Sequence, residues 1–172
     1  ESTPLGPASE TLLMRILAAF RYLPDPRVPS RLLPFLQASQ EEIRYRTLLA
    51  LGSNYEHHSY DDRSFLENSL RDPIPRVRQT ALWILRKRTS KKDLPLLLHH
   101  STEDPDSMVR QEAILALENF PNDEVILHLV KIIVSDRDKG VVLKAEGGLM
   151  VLPGAILIRG LKGALRSPFN PE

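Results

Sequence analysis

Apolar residues in this chain recur at helical spacing. Val77, Ala81, Ile84 and Leu85 stand at i, i+4, i+7 and i+8, which is one face of an α-helix. Leu13, Leu17 and Phe20 form a similar stripe near the N-terminus. Further stripes follow at Leu94, Leu97 and Leu98, and at Val125, Leu129, Ile132 and Ile133. No segment sustains the polar–apolar alternation of a half-buried strand. The stripes predict about ten helices, paired antiparallel through short loops. One set falls near residues 29–38, 61–71, 92–101, 123–135 and 154–165. The other set lies between these, and opens with a truncated copy at Leu12 to Tyr22.

The second set repeats in sequence as well as in pattern. Asp72-Pro73-Ile74-Pro75-Arg76-Val77-Arg78-Gln79 recurs 32 positions on as Asp104-Pro105-Asp106-Ser107-Met108-Val109-Arg110-Gln111. Ala81 and Leu85 then match Ala113 and Leu117. Looser copies hold Asp136, Val141, Ala145 and Leu149, and, earlier, Ile43, Arg44, Thr47 and Leu51. The recurring letters have physical roles. An Asp before Pro is expected to cap the helix that the Pro opens. The Ala sits mid-face, where it lets helices approach closely. The Trp-Leu-Gly-Tyr and Thr-Pro-Leu-His patterns of tetratricopeptide and ankyrin repeats are not found in phase.

The in-phase Asp-Pro-x-x-x-Val-Arg-x-x-Ala-x-x-x-Leu unit resembles the short HEAT-like repeat of the phycobilisome-lyase type. The resemblance spans roughly residues 10–165, closely in two copies and loosely in the rest. It implies an all-α fold: a right-handed α-solenoid, or alpha-alpha superhelix, of about five HEAT-like helical hairpins. It also implies an Asp–Arg ladder through Arg78 and Arg110. Arg44 joins such a ladder if another acceptor replaces Asp, because Ala38 and Ser39 occupy its turn. The ladder ends at Val142, which stands at the arginine position of the fourth copy. Residues 1–9 and 166–172 are expected to be flexible tails flanking the array at 10–165.

Composition narrows the chemistry. The 172 residues are 42% hydrophobic and 26% charged, which is ordinary for a folded chain. Aromatics are only 6%, which favours helix packing over a sandwich or barrel. With no cysteine, disulfides, thiolate metal sites and cysteine nucleophiles are excluded. The net charge of +1 exerts no global pull on nucleic acid or acidic membranes. No apolar run reaches the ~20 residues of a membrane helix. The first residue is Glu1 rather than Met, which fits a processed or trimmed chain and leaves a removed signal peptide open. The cytoplasm is the favoured compartment, with an exported mature chain as the alternative.

In HEAT-like arrays the second helix of each hairpin lines the concave face. Two positions past the core Thr or Ala, where the family usually places a polar residue, this chain has Leu49, Trp83, Leu115 and Gly147. The three large residues are expected to form an apolar ridge, with Tyr45, Gln79, Arg86, Gln111 and Glu112 in adjacent columns. Trp, Tyr and Arg are common interface anchors. The expected partner-binding set is therefore Tyr45, Leu49, Gln79, Trp83, Arg86, Gln111 and Leu115. Half-burial of the same column against neighbouring repeats is the competing structural expectation.

Charge is sectored. Residues 71–92 hold eight bases against Asp72 alone, whereas residues 103–124 hold seven acids against Arg110 alone. The basic cluster Arg86, Lys87, Arg88, Lys91 and Lys92 complements a helix C-terminus. It is also the candidate phosphate-tracking patch. Histidines fall at His57, His58, His99, His100 and His128, with no His-Glu dipeptide of the kind found in the HEAT-like iron hydroxylases. Adjacent helical residues point about 100° apart, so His99 and His100 share a metal poorly. The loop from Ser53 to Tyr60 is longer than its counterparts and could add a contact. The apolar segment Ile156, Leu157, Ile158, Leu161 and Leu165 offers a surface for self-association. No nucleophile motif, phosphate loop or dinucleotide fingerprint is present.

The expected function is a non-enzymatic protein-interaction scaffold. No cofactor, no metal and no catalytic residue is assigned. The alternatives are nucleic-acid binding through the basic cluster and, as the resemblance implies, an accessory subunit of a lyase-type enzyme.

Overall fold

The structure is a computed structural model that describes residues 7–22, 27–55 and 63–166. Among these residues every regular element is helical. In chain order they are α1 (Pro7–Phe20), α2 (Val28–Leu32), which runs into a 3₁₀ turn (Leu33–Gln37), α3 (Glu41–Tyr55), α4 (Ser64–Ser69) and α5 (Pro75–Arg88). There follow α6 (Leu94–Glu103), α7 (Ser107–Leu117), α8 (Asp123–Ser135), α9 (Lys139–Val151) and α10 (Gly154–Arg166). This is the all-α helical-hairpin class expected from the stripes. The chain divides into two compact units, Glu1–Ala81 and Leu82–Glu172, and α5 contributes to both.

In the first unit α1, α2 and the 3₁₀ turn pack on α3. Helix α3 buries Ile43, Thr47, Leu48, Ala50 and Leu51, the i, i+4, i+8 face that its pattern dictates. Leu17 of α1 and Leu32 of α2 add to this core, as do Phe65 and Leu66 of α4. Pro29 opens α2 without loss, because a first-turn N–H has no helical partner. Pro34 removes an N–H further on, and the chain continues only as a 3₁₀ turn.

The second unit has two layers. Helix α7 packs on α6 and α9, and α8 packs on α9 and α10. The core between them holds Val109, Ala113, Ile114, Leu117, Val125, Ile126, Leu129, Val141 and Ala145. Gly160 brings α10 close to α8: a Cβ built there would stand 2.8 Å from Ile126 atoms. The Gly154 to Ala164 segment is thus helical and packs closely at Gly160. Arg159 donates to both carboxylate oxygens of Asp123 at 2.9 Å across the same pair.

The ladder arginines run forward. Arg44 donates to Asp72 of the next turn at 2.7 and 3.0 Å, and to the carbonyls of Ala38 and Ser39 in its own turn at 2.9 Å each. It needs no substitute carboxylate behind it, because backbone carbonyls fill that place. Arg110 does the same with Asp136, at 2.9 and 3.0 Å, and with the carbonyl of Asp104. Arg78 takes the carbonyls of Asp72 and Pro73.

Asp72 and Asp104, each before a Pro, do not cap their helices as expected. Asp72, Asp104 and Asp136 each accept the N–H two residues on, from Ile74, Asp106 and Asp138, and so fold the turn. Helix capping falls to Asp106 for α7, Asn122 for α8 and Asp138 for α9. Pro75 opens α5, while Pro73 and Pro105 lie in the turns. Two boundaries also move. Pro7, Ala8 and Ser9, expected in the tail, form the first residues of α1, and Ser53 to Tyr55, expected in a loop, complete α3. Residues 1–6, 56–62 and 167–172, with His57, His58 and the rest of both tails, lie outside the described residues.

Candidate interaction surface

The column argument rests on one repeated fact. Thr47, Ala81, Ala113 and Ala145 are each 0% exposed. Two positions further along a helix is a turn of about 200°, so Leu49, Trp83, Leu115 and Gly147 swing away from the core. All four are half-buried. Tyr45, Leu49 and Gln79 belong to the first unit, and Trp83, Arg86, Gln111 and Leu115 to the second.

In the first unit Tyr45 is engaged within the protein. The Arg76 guanidinium lies 3.6 Å over its ring centroid and also donates to Glu42 at 3.1 Å. A hydrogen bond with Tyr45 and the nearby Glu42 and Glu41 raise the Arg76 pKa. The i, i+4 spacing sets Leu49 one turn from Tyr45 on α3.

In the second unit Trp83 carries Lys87, one turn on, with its ammonium 4.2 Å over the indole. Arg86 turns to Glu112 of α7 at 3.3 Å. Its carbonyl accepts from Asn119 at 2.9 Å, which ties the end of α5 to the end of α7. Burial pushes the Glu112 carboxyl up, and the charges of Arg86 and Lys144 offset this only in part. Glu118 is raised in the same way, with Lys144 and Arg86 again opposing.

Between α7 and α9 lies a groove of about 410 Å³. It is lined by Leu115, Leu143, Gly147 and Val151, with Gln111, Glu118 and Lys144 as its polar groups. Leu143 is 66% exposed and Val151 64% exposed. At Gly147, which has no side chain, this column leaves a depression on α9. Leu143 and Val151 were missed in the sequence. The signal was their spacing, four residues before and after Gly147, which sets all three on one face.

The basic cluster is largely occupied within the protein. Arg86 pairs with Glu112 and Lys87 lies on Trp83. Arg88 and Lys92 also have interaction partners in the chain. Arg86, Lys87 and Arg88 form the last turn of α5, where cations favour the helix dipole. Thr89 then leaves the helix at φ 50°, a left-handed conformation that suits a helix end.

The rings of His99 and His100 meet edge-on, with centroids 5.1 Å apart, but the histidines have different partners. His99 is exposed, His100 Nδ1 lies 3.2 Å from Asp104, and His128 Nε2 lies 2.7 Å from the Ser101 hydroxyl. Among the described residues no three His, Asp or Glu side chains gather as a metal site would require. No described helix is long and apolar enough to cross a membrane.

A family model for HEAT repeats matches residues 29–118 and, in an overlapping match, 66–150. None of the curated proteins compared matches the chain. HEAT repeats commonly serve as protein-interaction scaffolds. With most of its length matched, and with an Arg–Asp rung joining successive turns in each unit, the chain belongs to the HEAT-repeat family.

Proposed function

We propose that this protein is a non-enzymatic interaction module that holds a segment of a partner protein in the groove between α7 and α9. The observation that carries the reading is the exposure of Leu143 and Val151 beside Leu115 and Gly147. Large exposed apolar side chains around a depression mark contact surfaces in soluble folds. Leu115 and Gln111 act in the groove. Trp83 and Arg86, on α5, serve as further anchor and rim of the second unit, and Tyr45, Leu49 and Gln79 are the corresponding contacts of the first.

Affinity capture with the wild-type chain beside Leu143→Asp and Trp83→Ala tests this. Leu143→Asp removes the retained partner, and Trp83→Ala weakens its binding by more than about 1 kcal/mol. The melting temperature of Leu143→Asp stays near that of the wild type, because the side chain is exposed. Equal retention of the same partner by all three proteins overturns the reading. Retention that instead follows added DNA or RNA and vanishes with salt assigns the surface to Arg86, Lys87, Arg88, Lys91 and Lys92.

A further inference from the structure

The groove between α7 and α9 has a shape and a charge that together restrict what fits it. A Cβ built on Gly147 meets no atom within 4 Å, so open space stands where a side chain would project. At Gly140 and Gly160 the same atom meets neighbours at 2.9 and 2.8 Å, so those two glycines are already packed over. Leu143 and Val151 flank the Gly147 gap, and Leu115 faces it from α7. The volume of about 410 Å³ is enough to take large side chains rather than only water.

The charged groups that line the groove are Glu118 and Lys144, and Glu118 stands at the C-terminal end of α7. An anion is unfavourable there, because the helix dipole presents its negative end. Partial burial adds to the cost and pushes the carboxyl up. No described residue gives Glu118 a hydrogen bond or an ion pair. Arg86 lies against Glu112, and Lys144 acts on both acids at longer range. The Glu118 carboxylate is therefore open to a closer counter-charge than Lys144 or Arg86 supplies.

We propose, resting on the interaction-module reading above, that the groove takes a partner segment bearing a large apolar residue within about one helical turn of a Lys or Arg. The apolar side chain fills the gap over Gly147, and the cation pairs with Glu118. Both groups on the protein gain: apolar surface leaves water, and a carboxylate at a helix end acquires a counter-charge.

Selection of displayed random twelve-residue peptides on the full chain at low salt tests this, followed by fluorescence anisotropy with an enriched peptide. Enriched peptides share an apolar residue close to Lys or Arg. Glu118→Gln weakens the peptide about tenfold, as loss of a charge-assisted contact should. Gly147→Leu plugs the gap and abolishes binding while the helix content holds, since Leu is the better helix former. Enriched peptides that are acidic, and that respond to Lys144→Ala but not to Glu118→Gln, overturn the charge assignment. In that case loss of binding in Gly147→Leu leaves the interaction-module reading standing. No enrichment, or binding untouched by Gly147→Leu, overturns both.

Discussion

The outer layer of the first unit is built of short pieces: α2 has 5 residues, its 3₁₀ continuation has 5, and α4 has 6. In the second unit the helices of the corresponding layer, α6, α8 and α10, have 10, 13 and 13 residues. The inner chemistry does not follow this difference. Arg44 holds Asp72 as Arg110 holds Asp136, with the same pair of nitrogens and the same reach back to the preceding carbonyls. The repeat is therefore held by its turns and second helices, and the outer layer is free to vary. One consequence is a cleft of about 710 Å³ in the first unit, bordered by Leu33, Leu36, Phe65 and Asn68.

The largest effect comes from breaking the shared part. Arg44→Met and Arg110→Met each leave an aspartate in place without its cation. Arg44 and Asp72 are 12% and 9% exposed, so the pair is close to buried. Each variant should lose about 3 kcal/mol, or roughly 6–12 °C in melting temperature. Similar losses in thermal melts support a common frame, and a loss at Arg110 alone breaks it. The first rung also predicts an acid response. Burial pushes the Asp72 carboxyl up, but hydrogen bonds from Arg44 and the Ile74 N–H, with the charges of Arg44 and Arg78, hold it below its ordinary 3.8. Its contribution is therefore full above that value and is lost as pH falls through the depressed one.

A smaller effect should be confined to the second unit. Gly160→Val drives a side chain into Ile126, already 2.8 Å from the Cβ position. Separation of α10 from α8 should cost about 2 kcal/mol by chemical denaturation. An unchanged midpoint would mean that α10 does not help to stabilise its unit.

Hydrogen exchange reads the outer layers directly. Amides of α4 should exchange about tenfold faster than those of α8, a difference of about 1.4 kcal/mol in opening. The two helices differ in length by about a factor of two, and α8 buries Val125, Ile126, Leu129 and Ile132 along its whole face. Equal protection would show that length does not set the stability of this layer.

The sequence made the second helices legible throughout, and the outer layer mainly where its helices are long, at α6, α8 and α10. Second helices could be read because Val77, Ala81 and Leu85 return as Val109, Ala113 and Leu117, and each set must face a core. The outer layer carries no such repeat, so the break at Pro34 and the shortness of α4 were not predicted. The turn aspartates misled for a local reason. An Asp before Pro can cap a helix or fold a turn, and only the start of α5 at Pro75 and of α7 at Ser107 decides between them. The groove was half visible. Leu115 and Gly147 were found by counting from Ala113 and Ala145, but a glycine contributes no residue type to notice. The approach of Arg86 to Glu112 joins residues on different helices, which spacing along one helix cannot show.

The smallest effect concerns a polar tie in the outer layer of the second unit. Ser101 of α6 donates its one hydroxyl proton to the Leu98 carbonyl at 2.8 Å. The hydroxyl oxygen is then the acceptor for His128 Nε2–H of α8 at 2.7 Å, which fits a neutral imidazole. Burial, with Lys131 adding to it, lowers the His128 pKa below its ordinary 6.5, and Leu98 and Glu124 oppose this only in part. The unfolded chain therefore takes up this proton first as pH falls. The stability involved is intact above pH 6.5 and is lost as pH drops toward the lowered value, with a slope of at most about 1.4 kcal/mol per pH unit. His128→Gln keeps a hydrogen-bond donor and cannot titrate. Denaturant melts at pH 5 and pH 7.5 should show a smaller acid loss for this variant than for the wild type. The same loss in both would place the acid sensitivity outside the α6–α8 contact.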